Sequence, residues 1–236
     1  MVPWLAAFAL VFVAFLPGTA RAADGVFGTS AFQLASLDGP TEWRRVLAAI
    51  ADERRRYVAC DRDRALCGSK GLVAWRGLIA ELRGKRRTAQ VVAVNAFFNA
   101  SRYIPDQVNW GRSDYWATPL EFFRRSGDCE DYAIVKYVTL RELGFAPEDL
   151  RIVVLRDTKR DVVHAVLSLA TGDGYQILDN LYADVLNDRR LDSYVPYYSV
   201  NEESRWVHAA PRQERIAGIE RAVRPAAQQR LAHDRR

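Results

Sequence analysis

Apolar positions recur every three to four residues through the first half of the chain, and every second residue through much of the rest. Segment 41–59, TEWRRVLAAIADERRRYVA, sets Trp43, Val46, Leu47, Ile50 and Ala51 on one stripe with arginines opposite, which predicts an amphipathic helix. GLVAWRGLIAEL (71–82) and TAQVVAVNAFFNASRYI (88–104) repeat that period, the latter with Thr88 as its N-cap. A stretch rich in Gly, Pro, Asp and Trp, PDQVNWGRSDYWATP (105–119), predicts an ordered loop. Another helix follows Cys129, burying Ala133, Ile134, Tyr137, Val138 and Leu140 and stopping at Gly144 as its C′ residue. From Leu150 the period falls to two, and 151–157, 162–170 and 175–182 read as strands. Helices followed by strands indicate an α+β fold rather than alternating α/β.

The TGDG turn (171–174) joins two of these strands as a hairpin and sets its register. With Gly172 and Asp173 at the tip, Thr171 faces Gly174, Val166 faces Asp179 and His164 faces Leu181. His164 and Asp179 then share a face as diagonal neighbours, about 5.5–8 Å apart along the backbone. A one-residue bulge would send Asp179 to the other face. In this register Asp179 is able to orient the His164 ring, the supporting half of a Cys–His–Asp constellation.

At 236 residues the chain is long enough for one well-cored domain, and 49% hydrophobic residues exclude a disordered chain. The net charge of +5 comes from scattered arginines, with no basic block or aromatic–basic alternation, so no nucleic-acid partner is expected. The first residues are apolar from Trp4 to Leu16, broken by Pro17-Gly18, with a small-residue cleavage site ending at Ala22. Residues 1–22 read as a secretory signal peptide, too short for a comfortable membrane span. The missing Lys or Arg ahead of the apolar core leaves an uncleaved anchor as the alternative. No second stretch is apolar enough to span, so the mature chain reads as exported: a domain over 23–205 and a polar Arg/Ala-rich tail over 206–236.

Export changes how the cysteines read. In an oxidising compartment Cys60 and Cys67 suit a small disulfide loop, with two unpaired thiols as the alternative. No nearby His or further Cys completes a zinc site. Cys129 is then the odd thiol, and it sits in RRSGDCEDYAIVKYVTLRELGF (124–145) between Asp128 and Glu130. A helix start lowers a thiol's pKa, whereas two flanking carboxylates raise it. Among the histidines, His208 and His233 fall in or near the tail, while His164 interrupts a strand pattern. The bland readings are an inert core cysteine, a satisfied core histidine and a turn starting at Asp179. Asp128 would then be an N-cap, with Glu130 and Asp131 as first-turn acids complementing the helix dipole.

The set NWGRSDYWATPLEFFRRSGDCEDYAIVKYVTLRELGF, HAVLSL, ILDNLYADV and YVPYYSVNE resembles the bacterial transglutaminase-like cysteine proteinases from about Asn95 to Asn201. That family includes the periplasmic LapG proteases that release biofilm adhesins. The resemblance implies a papain-like, transglutaminase-like core: N-terminal helices plus an antiparallel sheet. It maps the catalytic triad onto Cys129, His164 and Asp179. It also implies a Ca2+ cofactor held by the acids flanking the nucleophile, Asp128 and Glu130; two carboxylates are too few for calcium, and Asp131, or Asp114 in the preceding loop, is the further candidate. A calcium ion would cancel the field that opposes the thiolate. The Cys129 backbone N–H is the expected oxyanion donor; Trp110 and Trp116 read first as core or loop anchors, with Trp116 lining the cleft or the oxyanion site as the alternative. The implied substrate is a large surface adhesin, cut near its N-terminus at a paired-alanine site. The implied regulator is an inner-membrane cyclic-di-GMP receptor of the LapD type, acting in the periplasm. A crosslinking acyltransferase and a non-catalytic peptide-binding module are the rival functions.

Overall fold

The computed structural model describes residues 23–34 and 40–210; the expected leader and the chain beyond 210 lie outside them. Two short strands come first, β1 (Ala23–Asp24) and β2 (Ser30–Gln33). Six helices follow: α1 (Thr41–Arg62), α2 (Lys70–Leu82), α3 (Arg87–Asn99), α4 (Asp106–Asn109), α5 (Pro119–Arg125) and α6 (Cys129–Glu142). The remaining strands are β3 (Leu150–Asp157), β4 (Val162–Thr171), β5 (Gly174–Leu178), β6 (Leu186–Asn187), β7 (Tyr194–Val200) and β8 (Arg205–Ala209). All eight form one antiparallel sheet in the order β1-β2-β8-β7-β3-β4-β5-β6. This is the expected α+β architecture of helices plus an antiparallel sheet.

The main core lies between the helices and one face of the sheet. Trp43 and Ile50 of α1, Trp75 of α2, Phe98 of α3 and Ile134 of α6 pack with Leu150, Ile152 and Leu167. Each such buried side chain contributes about 1.5–3 kcal/mol. The indoles satisfy their polar edges inside: Trp75 donates to Thr139 Oγ1 at 2.7 Å and Trp43 to the Asn201 carbonyl at 2.8 Å. A smaller cluster of Val26, Val153, Leu155, Val166, Ile177, Leu191 and Tyr194 fills the opposite face. Cys60 and Cys67 are joined as a disulfide at the end of α1.

Several expected boundaries are corrected. The third helix is capped at Arg86, so Thr88 lies inside it, and it stops at Asn99 rather than 104. Pro105 disfavours helix in the residue before it, and Tyr103 instead bridges to Gly127. The expected loop 105–119 contains α4 and leads into α5, whose start is a Thr118–Glu121 capping box with Pro119 at its first position. The strand expected over 175–182 ends at Leu178, because Asp179 turns the chain and accepts the Leu181 N–H at 2.9 Å. The polar tail starts later than 206: β8 lies inside the sheet between β2 and β7. His208 is therefore buried, bonded to Thr29 Oγ1 at 3.1 Å and Ser199 Oγ at 2.8 Å.

Candidate active site

Cys129 opens α6, and the chain reaches it through a constrained turn. Ser126 adopts φ +60° and ψ −160°, a conformation nearly confined to glycine, while its hydroxyl bonds the Arg102 carbonyl. At Gly127 a Cβ would lie 1.9 Å from Asp131 Oδ2, so only glycine fits. Asp131 is fully buried and accepts the Ala117 N–H at 2.5 Å and the Asp128 N–H at 3.2 Å. The glycine of GDCED thus makes room for an aspartate that locks the helix start in place.

The hairpin register runs as the TGDG turn predicts, from Thr171↔Gly174 to Leu167↔Leu178. Asp179 follows directly, and its Oδ1 lies 2.9 Å from His164 Nε2, both side chains buried. Tyr194 donates its hydroxyl to Asp179 Oδ2 at 2.7 Å. Burial alone would raise the Asp179 pKa, but the hydrogen bond and charge of His164, then Tyr194, hold it below the usual carboxylate range. With Nε2 committed to Asp179, Nδ1 is the ring nitrogen left for the cleft. Because β5 ends at Leu178, the edge of β4 lies open here, and the Ala165 backbone on that edge acts to lower the pKa of the Cys129 thiol. Cys129 and His164 line one cleft of about 410 Å³, with Tyr103, Trp116, Val163 and Tyr198 around them.

Carboxylates crowd this cleft. Ligand atoms of Asp106, Asp128 and Asp131, and of Asp106, Asp114 and Glu130, lie within 4.8 Å of one another. Burial, then the charge of Asp128, raises Glu130 to about 8 and Asp106 to about 6. Burial also raises Asp128, and it raises the Cys129 thiol well above its ordinary value, reinforced by Glu130 and then Asp128. Glu130 Oε2 accepts the thiol at 3.1 Å. Asp106 Oδ1 and Asp128 Oδ1 are buried without any hydrogen-bond partner. An all-oxygen set with two orphaned carboxylate oxygens fits a hard divalent cation.

Residues 56–214 match the model of a protein family described as bacterial transglutaminase-like cysteine proteinases. The chain belongs to that family. It is 36% identical to calcium-bound Legionella pneumophila LapG, with a TM-score of 0.54 over 58% of this chain and 78% of that one. The EGTA-treated form of Legionella pneumophila LapG gives 36% identity and a TM-score of 0.56 over 61% and 78%. No curated protein matches the sequence. As a bacterial transglutaminase-like cysteine proteinase, the chain is a cysteine peptidase of the LapG type.

Around this proteinase's site lie residues that spacing did not single out. Asp106 joins the carboxylate cluster from α4, and no local sequence pattern signals it. Lys136 is completely buried, and its Nζ donates to Asn95 Oδ1 at 2.8 Å. Asn95 Nδ2 in turn donates to the Tyr182 and Ala183 carbonyls at 3.2 and 3.1 Å. Asn99 Nδ2 donates to the Asp179 and Tyr182 carbonyls, each at 2.8 Å. Asn95 and Asn99 of α3 therefore pin the turn that carries Asp179, with Lys136 of α6 bracing Asn95. A lysine inside the apolar run AIVKYV was the readable signal of a buried partner. Trp116 is both a core anchor, buried against Trp43, and part of the cleft wall, and its indole N–H is spent on Asp114 Oδ1 at 3.0 Å.

Proposed function

We propose that this chain is a calcium-dependent, periplasmic cysteine endopeptidase that cuts the N-terminal region of a large surface adhesin at a paired-alanine site, freeing attached cells. The observation that carries the reading is the 2.9 Å His164–Asp179 pair in the cleft that Cys129 also lines. Cys129 attacks the scissile carbonyl as a thiolate, and His164 takes the thiol proton and returns it to the leaving amine. Asp179 holds the ring tautomer and stabilises the imidazolium, and Tyr194 holds Asp179. Water then hydrolyses the thioester, with His164 as base.

For the calcium ion we assign Asp128 and Glu130, joined by Asp106 and Asp114. Asp131, the third acid expected there, spends an oxygen on each of two backbone N–H groups and serves to lock α6. When bound, the ion supplies positive charge that offsets the carboxylate field on the thiol. The Cys60–Cys67 disulfide suits an oxidising compartment such as the periplasm. No helix among the described residues is long and apolar enough to cross a membrane. Control by a LapD-type cyclic-di-GMP receptor completes the proposal and rests on the family resemblance.

The test is incubation of the purified chain with adhesin N-terminal fragments, with and without calcium, and mass spectrometry of the products. Two fragments whose summed mass exceeds the substrate by one water, formed only with calcium, are expected. Joined chains identify an acyltransferase instead, and no product from any fragment contradicts the adhesin proposal.

A further inference from the structure

We propose that the Tyr103 hydroxyl is a catalytic hydrogen-bond donor to the oxyanion formed when Cys129 attacks. This role rests on the cysteine-peptidase reading of the site. In that step a C–S bond forms, the carbonyl π pair moves onto oxygen, and the developing charge needs donors fixed beforehand. The Cys129 backbone N–H at the helix start supplies one; the cleft wall supplies the second.

Tyr103 belongs to a segment strapped to the approach of the nucleophile. Its backbone bridges Gly127, and the next residue, Ile104, donates its N–H to the Gly127 carbonyl at 2.8 Å. On the other side Tyr132 of α6 donates its hydroxyl to the Ser101 carbonyl at 2.8 Å. The Tyr103 ring stacks on Tyr132, centroids 6.4 Å apart and planes 20° from parallel. The ring is thus fixed relative to the same helix that carries Cys129, as a preorganised donor must be.

Tyr103 shares the cleft wall with the reacting group, half exposed, and its hydroxyl is free to donate. It lines the cleft with Cys129 and His164 and makes no hydrogen bond among the described residues. Tyr198 also lines the cleft, but from β7 rather than from the segment strapped to the approach of the nucleophile. Trp116 is excluded as the donor because Asp114 holds its indole N–H. A phenol carries its proton throughout the neutral range, so Tyr103 donates without transferring it.

Two reagents that attack the same sulfur separate this role from others. Iodoacetamide alkylates a thiolate by displacement, with no oxyanion. p-Nitrophenyl acetate acylates it through one, as the acetyl C–O bond breaks and nitrophenolate leaves. In the full chain with calcium, Tyr103→Phe, which keeps the stacked ring, should slow the nitrophenolate burst about ten- to hundred-fold. Iodoacetamide alkylation of Cys129 should stay within about two-fold. Equal losses with both reagents would place Tyr103 on the thiolate or the fold and overturn the proposal, as would no loss with either. A raised calcium requirement that restores the burst at high calcium would assign Tyr103 to the cation site instead. A wild-type burst that survives Cys129→Ala would remove the nucleophile itself, a failure distinct from these.

Discussion

At the residue scale, the acids around Cys129 divide into two jobs. Asp131 holds the start of α6 through two backbone N–H groups, and Gly127 leaves it room. Gly127→Ala should therefore cost about 3 kcal/mol or more, read as a lowered denaturation midpoint, because backbone and carboxylate cannot share the space. Cys129→Ala should abolish peptide hydrolysis and leave the midpoint nearly unchanged. The raised carboxylates make a signed prediction. A carboxyl whose folded pKa exceeds its unfolded value stabilises the fold at low pH, and that stability is lost as pH rises through the folded pKa. With Asp106 near 6 and Glu130 near 8, the cation-free chain loses this contribution between about pH 4 and 8. His208, lowered to about 4 by burial, works the opposite way below about pH 6.5, and Lys136, lowered to about 7 by burial, opposes it above that. Both stand apart from the carboxylate cluster, so the melting increment on adding calcium isolates its acids: it should be larger at pH 8 than at pH 6. An equal increment at both would contradict the assigned ligands.

At the element scale, helices with a full amphipathic stripe were legible, and so was the β4–β5 register, because a four-residue glycine turn leaves little freedom in pairing. That register by itself puts His164 and Asp179 on one face. The short elements were not legible. β2 and β8 hold four and five residues and pair across the whole length of the chain, so no local period reveals them. Pairing at that distance also hid the burial of His208. The capping box at Thr118 was readable in TPLE but lay within a loop-like composition. The turn after β5 is held by α3, braced by α6, which sets a further test. Asn99→Ala leaves the Asp179 and Tyr182 carbonyls short of a donor and should cost about 1–3 kcal/mol of stability. By letting Asp179 drift, it should also lower kcat about ten-fold or more with little change in KM. A stability loss with unchanged kcat would show that the turn needs no such support.

At the scale of the whole molecule, the sheet is the frame on which distant segments meet. The N-terminal strands close onto β8, so the domain is complete only when both ends of the described chain are present. A chain truncated after Ser204 should fail to fold, seen as loss of the cooperative melting transition, because β2 and β7 then lack their common partner. Reduction of the Cys60–Cys67 disulfide should cost about 2–3 kcal/mol, as its small loop predicts, and neither cysteine lines the cleft. The site itself lies where α6 begins beside the edge of β4 that β5 leaves open. There a half-buried thiol faces a carboxylate field that opposes its ionisation, and a cation is the natural remedy. The most direct test follows the rate of iodoacetamide reaction at Cys129 against pH, in calcium and in chelator, for the wild type and His164→Ala. The account predicts that calcium lowers the pH of half-maximal reaction in the wild type and that His164→Ala raises it. Identical profiles in calcium and chelator, unaltered by loss of His164, would contradict it.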